Sequence, residues 1–184
     1  TIPYKEEIIP YLDKLSKTAE KIGAVNCITI SKKKKLKGYN TDYHGFKKSI
    51  QPLLKDHHKK ALILGTGGAS KAIAYALRKL KIEYDFVSRT ADEFQYKYEE
   101  LDASIFEEYT IIINTTPVGT HPNVDDCPNL DYSLFTKKHI AYDLIYNPEE
   151  TAFLKKAKAQ GAVTKNGYEM LVLQAEKAWK IWNE

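Results

Sequence analysis

Apolar positions switch between helical and alternating spacing along the chain, and the switches predict its elements. Leu12, Leu15, Ala19 and Ile22 recur at helical intervals, which predicts a helix over 11–22 stopped by Gly23. Residues 24–30 read as a strand and 36–39 as its return, with the four lysines 32–35 at the solvated tip of the hairpin. Asn40-Thr41-Asp42 opens a helix that runs through Phe46 and Ile50 and closes near Pro52, and residues 55–60 form a polar linker. Then the pattern alternates: strand 61–64, helix 69–80, strand 84–88, helical 92–100, strand 110–114, strand 139–144, helix 149–160, strand 162–164 and a last helix over 167–184.

Strands alternating with helices imply βαβ units, hence an α/β fold whose parallel sheet carries helices on both faces. The long stretch 116–131, with Pro117, Gly119, Pro122 and Pro128, follows a strand end, where such sheets place their ligands. The apolar run Ala61-Leu-Ile-Leu64 passes directly into Gly65-Thr66-Gly67-Gly68-Ala69 and a helix-forming segment. Glycines there let the backbone approach a pyrophosphate, whose charge sits on the free N–H groups of a helix start. A plain strand-to-helix connection is the alternative, since a lone G-x-G is weak.

At the end of the next strand, where an acidic residue would hold an NAD ribose, stands Arg89. A guanidinium suits the 2′-phosphate of NADP, although an ordinary surface cation would look the same. Of the 28 cationic residues only Arg78 and Arg89 are arginines, which adds weight to Arg89.

Composition changes this picture little. The chain has 184 residues, 43% of them hydrophobic and 28% charged, enough for one domain and part of another. A net charge of +4 from scattered lysines argues against nucleic acid as a partner, and the tract 32–35 adds little to that case. No apolar run approaches the ~18 residues of a membrane span. Cys27 and Cys127 form no C-x-x-C pair, no Cys/His cluster has metal-ligand spacing, and two free thiols suit a reducing cytoplasm. The chain begins Thr1-Ile-Pro-Tyr-Lys5, as if cut inside a structural element, and is expected to be a fragment.

Eight short motifs occur in order from the first residue to the last helix: Thr1-x-Pro-x-Lys5, Gly23-Ala-Val-Asn26, Gly38-x-Asn-Thr-Asp42-x-x-Gly45, Gly65-x-Gly-Gly-Ala69, Ser88-Arg-Thr90, Asn114-x-Thr-x-x-Gly119, Asp143-x-x-Tyr146-x-Pro148 and Asn166-Gly-x-x-Met-Leu-x-x-Gln174. Together they resemble the shikimate dehydrogenase family. The resemblance implies a Rossmann-type doubly wound parallel sheet over 44–166, the C-terminal part of a substrate-binding domain over 1–43, and a helix over 167–184 returning to that domain. It also implies reduction of 3-dehydroshikimate to shikimate with NADPH, a cytoplasmic biosynthetic enzyme of the chorismate and aromatic amino acid route, and a monomer or homodimer.

By the same resemblance Lys5 is the catalytic lysine, although alone it is one lysine among many. An ammonium beside a carbonyl oxygen stabilises the alkoxide that forms as hydride arrives, and a partly desolvated lysine can exchange a proton. Asp42, on spacing alone a helix cap, becomes its partner and a substrate ligand. Thr1, Asn26, Tyr146 and Gln174 complete the substrate pocket. Gln174 has support of its own, since it lies on the apolar stripe of the last helix between Leu171 and Ala178 and an inward amide there wants a partner. For the cofactor, Gly65, Thr66, Gly67, Gly68 and Ala69 would hold the pyrophosphate, Ser88, Arg89 and Thr90 the adenosine phosphate, and Thr115, Leu144 and Gly167 would border the ribose or nicotinamide. Met170 packs either on the nicotinamide or in the core, and the histidines, including His57, His58 and His121, are surface or structural.

Three features depart from the family pattern. Ala91-Asp92-Glu93 stands where a lysine usually assists the arginine, Thr66 replaces an alanine, and the upstream Ser-x-Ser element that binds the substrate carboxylate is absent from this sequence. The isolated chain is therefore expected to bind cofactor but turn over poorly. An NAD-accepting quinate/shikimate dehydrogenase and a non-catalytic nucleotide-binding module of the same fold remain alternatives.

Overall fold

The computed structural model describes residues 4–184. Its larger sheet has six strands, all parallel: β4 (Lys60–Leu64), β5 (Glu83–Val87), β6 (Gln95–Tyr96), β7 (Ile111–Asn114), β8 (Ile140–Asp143) and β9 (Val163–Lys165). They lie in the order β6-β5-β4-β7-β8-β9. The chain winds outward from β4 in one direction, then returns and winds the other way from β7, which is the doubly wound Rossmann-type arrangement with its switch point between β4 and β7.

The helices are α1 (Lys17–Ile22), α2 (Asp42–Ile50), α3 (Gly68–Leu80), α4 (Ala103–Glu108), α5 (Ala152–Ala159) and α6 (Tyr168–Trp182). Successive strand residues face opposite ways, so each side of the sheet needs its own cover. Ile63, Ile111, Ile113 and Tyr142 pack with Phe46 and Ile50 of α2, Ile73 and Leu77 of α3, and Met170 of α6. Leu62, Leu64 and Ile112 pack with Phe106 of α4 and Phe153, Leu154 and Ala157 of α5. Continuous apolar strands such as Ile111–Ile113, fully buried, follow from being covered on both faces.

A smaller, mixed sheet has the order β1-β3-β2, formed by β1 (Lys14–Leu15), β2 (Cys27–Ile30) and β3 (Leu36–Tyr39). β2 and β3 make the expected hairpin, whereas β1 runs parallel to β3 with Leu15 opposite Gly38.

Two expected helices are corrected. Over 11–22 only Lys17–Ile22 is α-helical. Ser16 caps it by accepting from the Ala19 N–H (3.1 Å), while the Ser16 N–H donates to the Gly38 carbonyl (2.8 Å), so the preceding residues pair as a strand. Residues 92–100 are not helical beyond a 3-10 turn at Tyr98–Glu100. Asp92 accepts from the Phe94 N–H (3.0 Å) and from Gln95 Nε2 (2.8 Å), and Gln95–Tyr96 then joins the sheet beside Phe86–Val87. A local Asx turn and a ladder partner outcompete the weak helical pattern. The helix of this crossover comes later, as α4, capped by Asp102.

At the amino edge of the sheet His58 and His139 are buried. His139 hydrogen-bonds Thr136 and the Phe106 carbonyl, and His58 contacts the Lys55 N–H and the Lys138 carbonyl. Burial holds both imidazoles, and that of His44 on α2, below the usual 6.5, and nearby cations add to the effect. The unfolded chain therefore takes up protons on these groups first as pH falls, and stability present above 6.5 is lost below it. From these imidazoles the thermal midpoint is expected to fall as pH drops from about 7.5 to about 6, with part of the fall offset by the buried Asp143 carboxyl, which takes up its proton in the folded state over the same interval. A midpoint that rises over that interval, measured by calorimetry, would contradict this.

Candidate functional site

Lys5 and Asp42 meet where the small sheet faces the switch point. Lys5 Nζ lies 2.6 Å from Asp42 Oδ2, with the two side chains only 13% and 9% exposed. The backbone fixes Lys5 as well, since its carbonyl accepts from the Val25 N–H (2.7 Å), beside β2. Asp42 is the first residue of α2 rather than its cap. The capping contact comes from Asn40, whose Oδ1 accepts from the Tyr43 N–H (3.3 Å). The Asp42 carboxylate is thus free for the ion pair, on a helix anchored by Phe46, Ser49 and Ile50.

The second carboxylate oxygen of Asp42 accepts from Asn26 Nδ2 at 2.8 Å. Asn26 also takes the Thr41 N–H (2.8 Å) and reaches Gln174 Oε1 (3.4 Å), which in turn accepts from Thr41 Oγ1 (3.2 Å). Lys5, Asn26, Asp42 and Gln174, from four separate stretches of sequence, are brought together as one polar cluster. α6 delivers Gln174 by close approach to α2: a Cβ on Gly45 would stand 2.5 Å from the Met170 carbonyl. Thr41, fully buried in the cluster, was missed by sequence reasoning; its place in the Asn-Thr-Asp triplet was the available signal. Tyr146 stays outside the cluster, 45% exposed on the loop after β8. Thr1 lies outside the described residues.

The glycine loop adjoins this cluster. Gly65 follows β4 with φ +100°, a conformation other residues adopt only under strain, and its Cα faces Thr115 and Thr116 of the neighbouring crossover. α3 begins at Gly68 with no side-chain cap, and the space in front of Gly67 is open to 4 Å. Uncapped N–H groups, a positive helix end and an open cradle fit a dinucleotide pyrophosphate. The other side of Gly68 packs on Lys5 and Glu6, and Glu6 forms an ion pair with Lys71 of α3. The glycine loop and Lys5 are thereby held side by side.

The remaining expected cofactor residues line the carboxyl edge of the sheet. Ser88 Oγ accepts from the Thr90 N–H (3.2 Å), and Arg89 between them is exposed. Thr115 sends both its N–H and its hydroxyl to the Leu64 carbonyl (3.0 and 2.7 Å). The Leu144 N–H donates to the Asn114 carbonyl (3.0 Å), and Gly167 packs against the Leu144 backbone. Met170 is buried in the core against the sheet. Below these loops Asp143 is fully buried, and desolvation pushes its carboxyl up to about 6 even though three donors oppose the shift. Among the described residues no helix is long and apolar enough to cross a membrane, and no group of three His, Cys, Asp or Glu side chains could hold a metal.

The profile of the shikimate dehydrogenase substrate binding domain matches residues 1–28. The NADP(+) shikimate dehydrogenase of Caldanaerobacter subterraneus subsp. tengcongensis is 42% identical over 99% of the chain and 70% of its own length. The crystal structure of shikimate dehydrogenase from Aquifex aeolicus superposes with a TM-score of 0.87 at 40% identity, covering 100% of this chain and 70% of that one. The Thermus thermophilus shikimate 5-dehydrogenase, solved with NADP(H) and shikimate, gives a TM-score of 0.84 at 34% identity, over 99% of this chain and 70% of that one. The chain thus spans about 70% of the length of these relatives.

Proposed function

The chain belongs to the shikimate dehydrogenase family, and we propose that it interconverts 3-dehydroshikimate and shikimate with NADP as its cofactor. The observation that carries this is the Lys5–Asp42 ion pair, placed between an open phosphate cradle and a cluster of amide and hydroxyl groups. Residues 1–43 and 167–184 form the substrate side and residues 44–166 the nucleotide side.

NADPH, when bound, supplies the hydride that reduces the ring ketone. Gly65, Thr66, Gly67, Gly68 and Ala69 hold the pyrophosphate, Ser88, Arg89 and Thr90 the adenosine phosphate, and Thr115, Leu144 and Gly167 border the ribose and nicotinamide. Lys5 donates a hydrogen bond to the ketone oxygen and gives up a proton as negative charge develops there. In the oxidising direction the neutral amine takes that proton back. Asp42, charged and close, orients the ammonium and shares the substrate hydroxyls with Asn26, Gln174, Tyr146 and Thr1.

Following NADPH absorbance with shikimate and NADP tests the activity. Shikimate-dependent NADPH formation supports it; nucleotide binding without turnover fits both the poor turnover expected of the isolated chain and the non-catalytic module, and the same assay on an N-terminally extended chain separates the two.

Arg89 decides between NADP and NAD. The Asp92 carboxylate is engaged within its own loop, accepting from the Phe94 N–H and the Gln95 side chain. Arg89→Ala is expected to raise KM for NADP about tenfold and leave KM for NAD unchanged, since a charge-assisted phosphate contact is lost. Equal effects on both cofactors, or a wild type that prefers NAD, would favour the NAD-accepting alternative.

A further inference from the structure

Asn114 and Asp143 are paired in register at the carboxyl ends of β7 and β8, and both are fully buried. Asp143 Oδ1 accepts from Asn114 Nδ2 (3.1 Å) and from the Ile145 N–H (3.0 Å), and Oδ2 accepts from the Thr151 hydroxyl (2.6 Å). Asn114 Oδ1 accepts from both the N–H and the hydroxyl of Thr116 (3.0 and 2.6 Å), and its Nδ2 also reaches the Val118 carbonyl (3.4 Å). Two side chains thus tie down three segments: the loop after β7, the loop after β8 and the start of α5. Each of these loops carries a residue assigned to the nicotinamide half, Thr115 in the first and Leu144 in the second. Gly167, the third such residue, rests on the Leu144 carbonyl and donates its N–H to the Ile145 carbonyl.

The geometry points to Asp143 as a positioning residue that sets the platform for the nicotinamide half of the cofactor, a role that rests on NADP being the ligand. The carboxylate touches neither nucleotide nor substrate residues of the Lys5 cluster; it acts through Asn114, Ile145 and Thr151. The adenosine phosphate is assigned to Ser88, Arg89 and Thr90 after β5, on the other side of the switch point, with the pyrophosphate at the glycine loop after β4 between the two halves. Loss of the Asp143 bonds therefore reaches one half of the cofactor site and leaves the other in place. Truncation would also strand three buried donors, and buried donors without partners pull backbone toward water.

Titrating NADP and 2′,5′-ADP separately into the wild type, Asp143→Ala and Asp143→Asn tests this. 2′,5′-ADP carries the adenosine phosphates and lacks the nicotinamide half. In Asp143→Ala the Kd for NADP is expected to rise about tenfold while that for 2′,5′-ADP stays within about twofold. Asparagine keeps an acceptor for Asn114 and Ile145 and is expected to restore most of the NADP affinity. Should the alanine variant fail to fold, Thr151→Val, nearly isosteric but removing both the donor to Asp143 and the cap that accepts from the Leu154 N–H (3.4 Å), is expected to show a smaller split in the same direction. Parallel weakening of both nucleotides, or no change in either, overturns the positioning role. A wild type that binds neither removes the cofactor assignment and this role with it, whereas binding to the wild type with no split among the variants removes the role alone.

Discussion

Replacing Lys5 by methionine is expected to lower kcat for shikimate oxidation by about a thousandfold, the middle of the range for losing a positioned acid–base group. Methionine preserves the length and apolar stem of the side chain in its largely buried setting, so packing against Gly68 changes little. What disappears is the group proposed to exchange a proton with the substrate oxygen, together with its positive charge. Cofactor binding is expected to survive, because the cradle is built from the backbone of 65–69 and not from the ammonium. Lys5→Arg separates the two losses: it keeps the charge, yet a guanidinium does not deprotonate in proteins, so it is expected to rescue little. Assays of NADPH formation, with NADP Kd measured alongside, check both variants. Turnover within tenfold of wild type in Lys5→Met would rule out Lys5 as the proton-exchanging group.

How legible such a site is depends on how local its contacts are. The run Ala61-Leu-Ile-Leu64 followed by glycines announces a buried strand and a cradle, because the signal itself, an apolar run passing directly into glycines and a helix-forming segment, is contained in one short stretch of chain. The alternation after it announces the parallel sheet for the same reason. The stretch 11–22 deceives because Leu12, Leu15, Ala19 and Ile22 satisfy a helix, whereas what decides Lys14–Leu15 is a parallel pairing with Lys37–Gly38, invisible to any local window. Over 92–100 the side chain of Asp92 and the edge of β5 decide, again outside the apolar periodicity.

The chemistry divides in the same way. Lys5 and Asp42 are separated by 37 positions, and Asn26 and Gln174 by 148, so only ordered motifs and the resemblance they carry place them together. Thr41 is only half legible: the triplet Asn40-Thr41-Asp42 marks a helix start, but it does not say which residue caps the helix and which turns into the cluster. Asn114 and Asp143 are visible as motif letters, but their joint effect depends on the register of two strands. Register is a property of the assembled sheet.

Gly167→Ala is expected to be the most damaging single methyl in the chain. A Cβ there would lie 2.0 Å from the Leu144 carbonyl oxygen and 2.6 Å from its carbon, and neither is a flexible side chain that could swing aside. The start of α6 must then move off the loop after β8, breaking the Gly167 N–H bond to Ile145 (3.0 Å). Overpacking against backbone places the cost near the upper end of the usual range, about 3 kcal/mol, or roughly 6–12 °C in thermal midpoint for a domain of this size. The damage is expected to spread, because α6 carries Gln174 to Asn26 and Thr41, and a helix shifted at its first turn no longer delivers that amide in register. Gly67→Ala supplies the contrast. Its φ of −74° suits alanine and its Cβ would enter open space, so stability is expected to change by less than about 1 kcal/mol. That open space is the proposed phosphate cradle, so the same methyl is expected to weaken NADP binding. Thermal midpoints and NADP titrations on both variants read the difference: a stable Gly167→Ala would mean that α6 is not seated on Leu144, and unimpaired NADP binding by Gly67→Ala would place the pyrophosphate elsewhere.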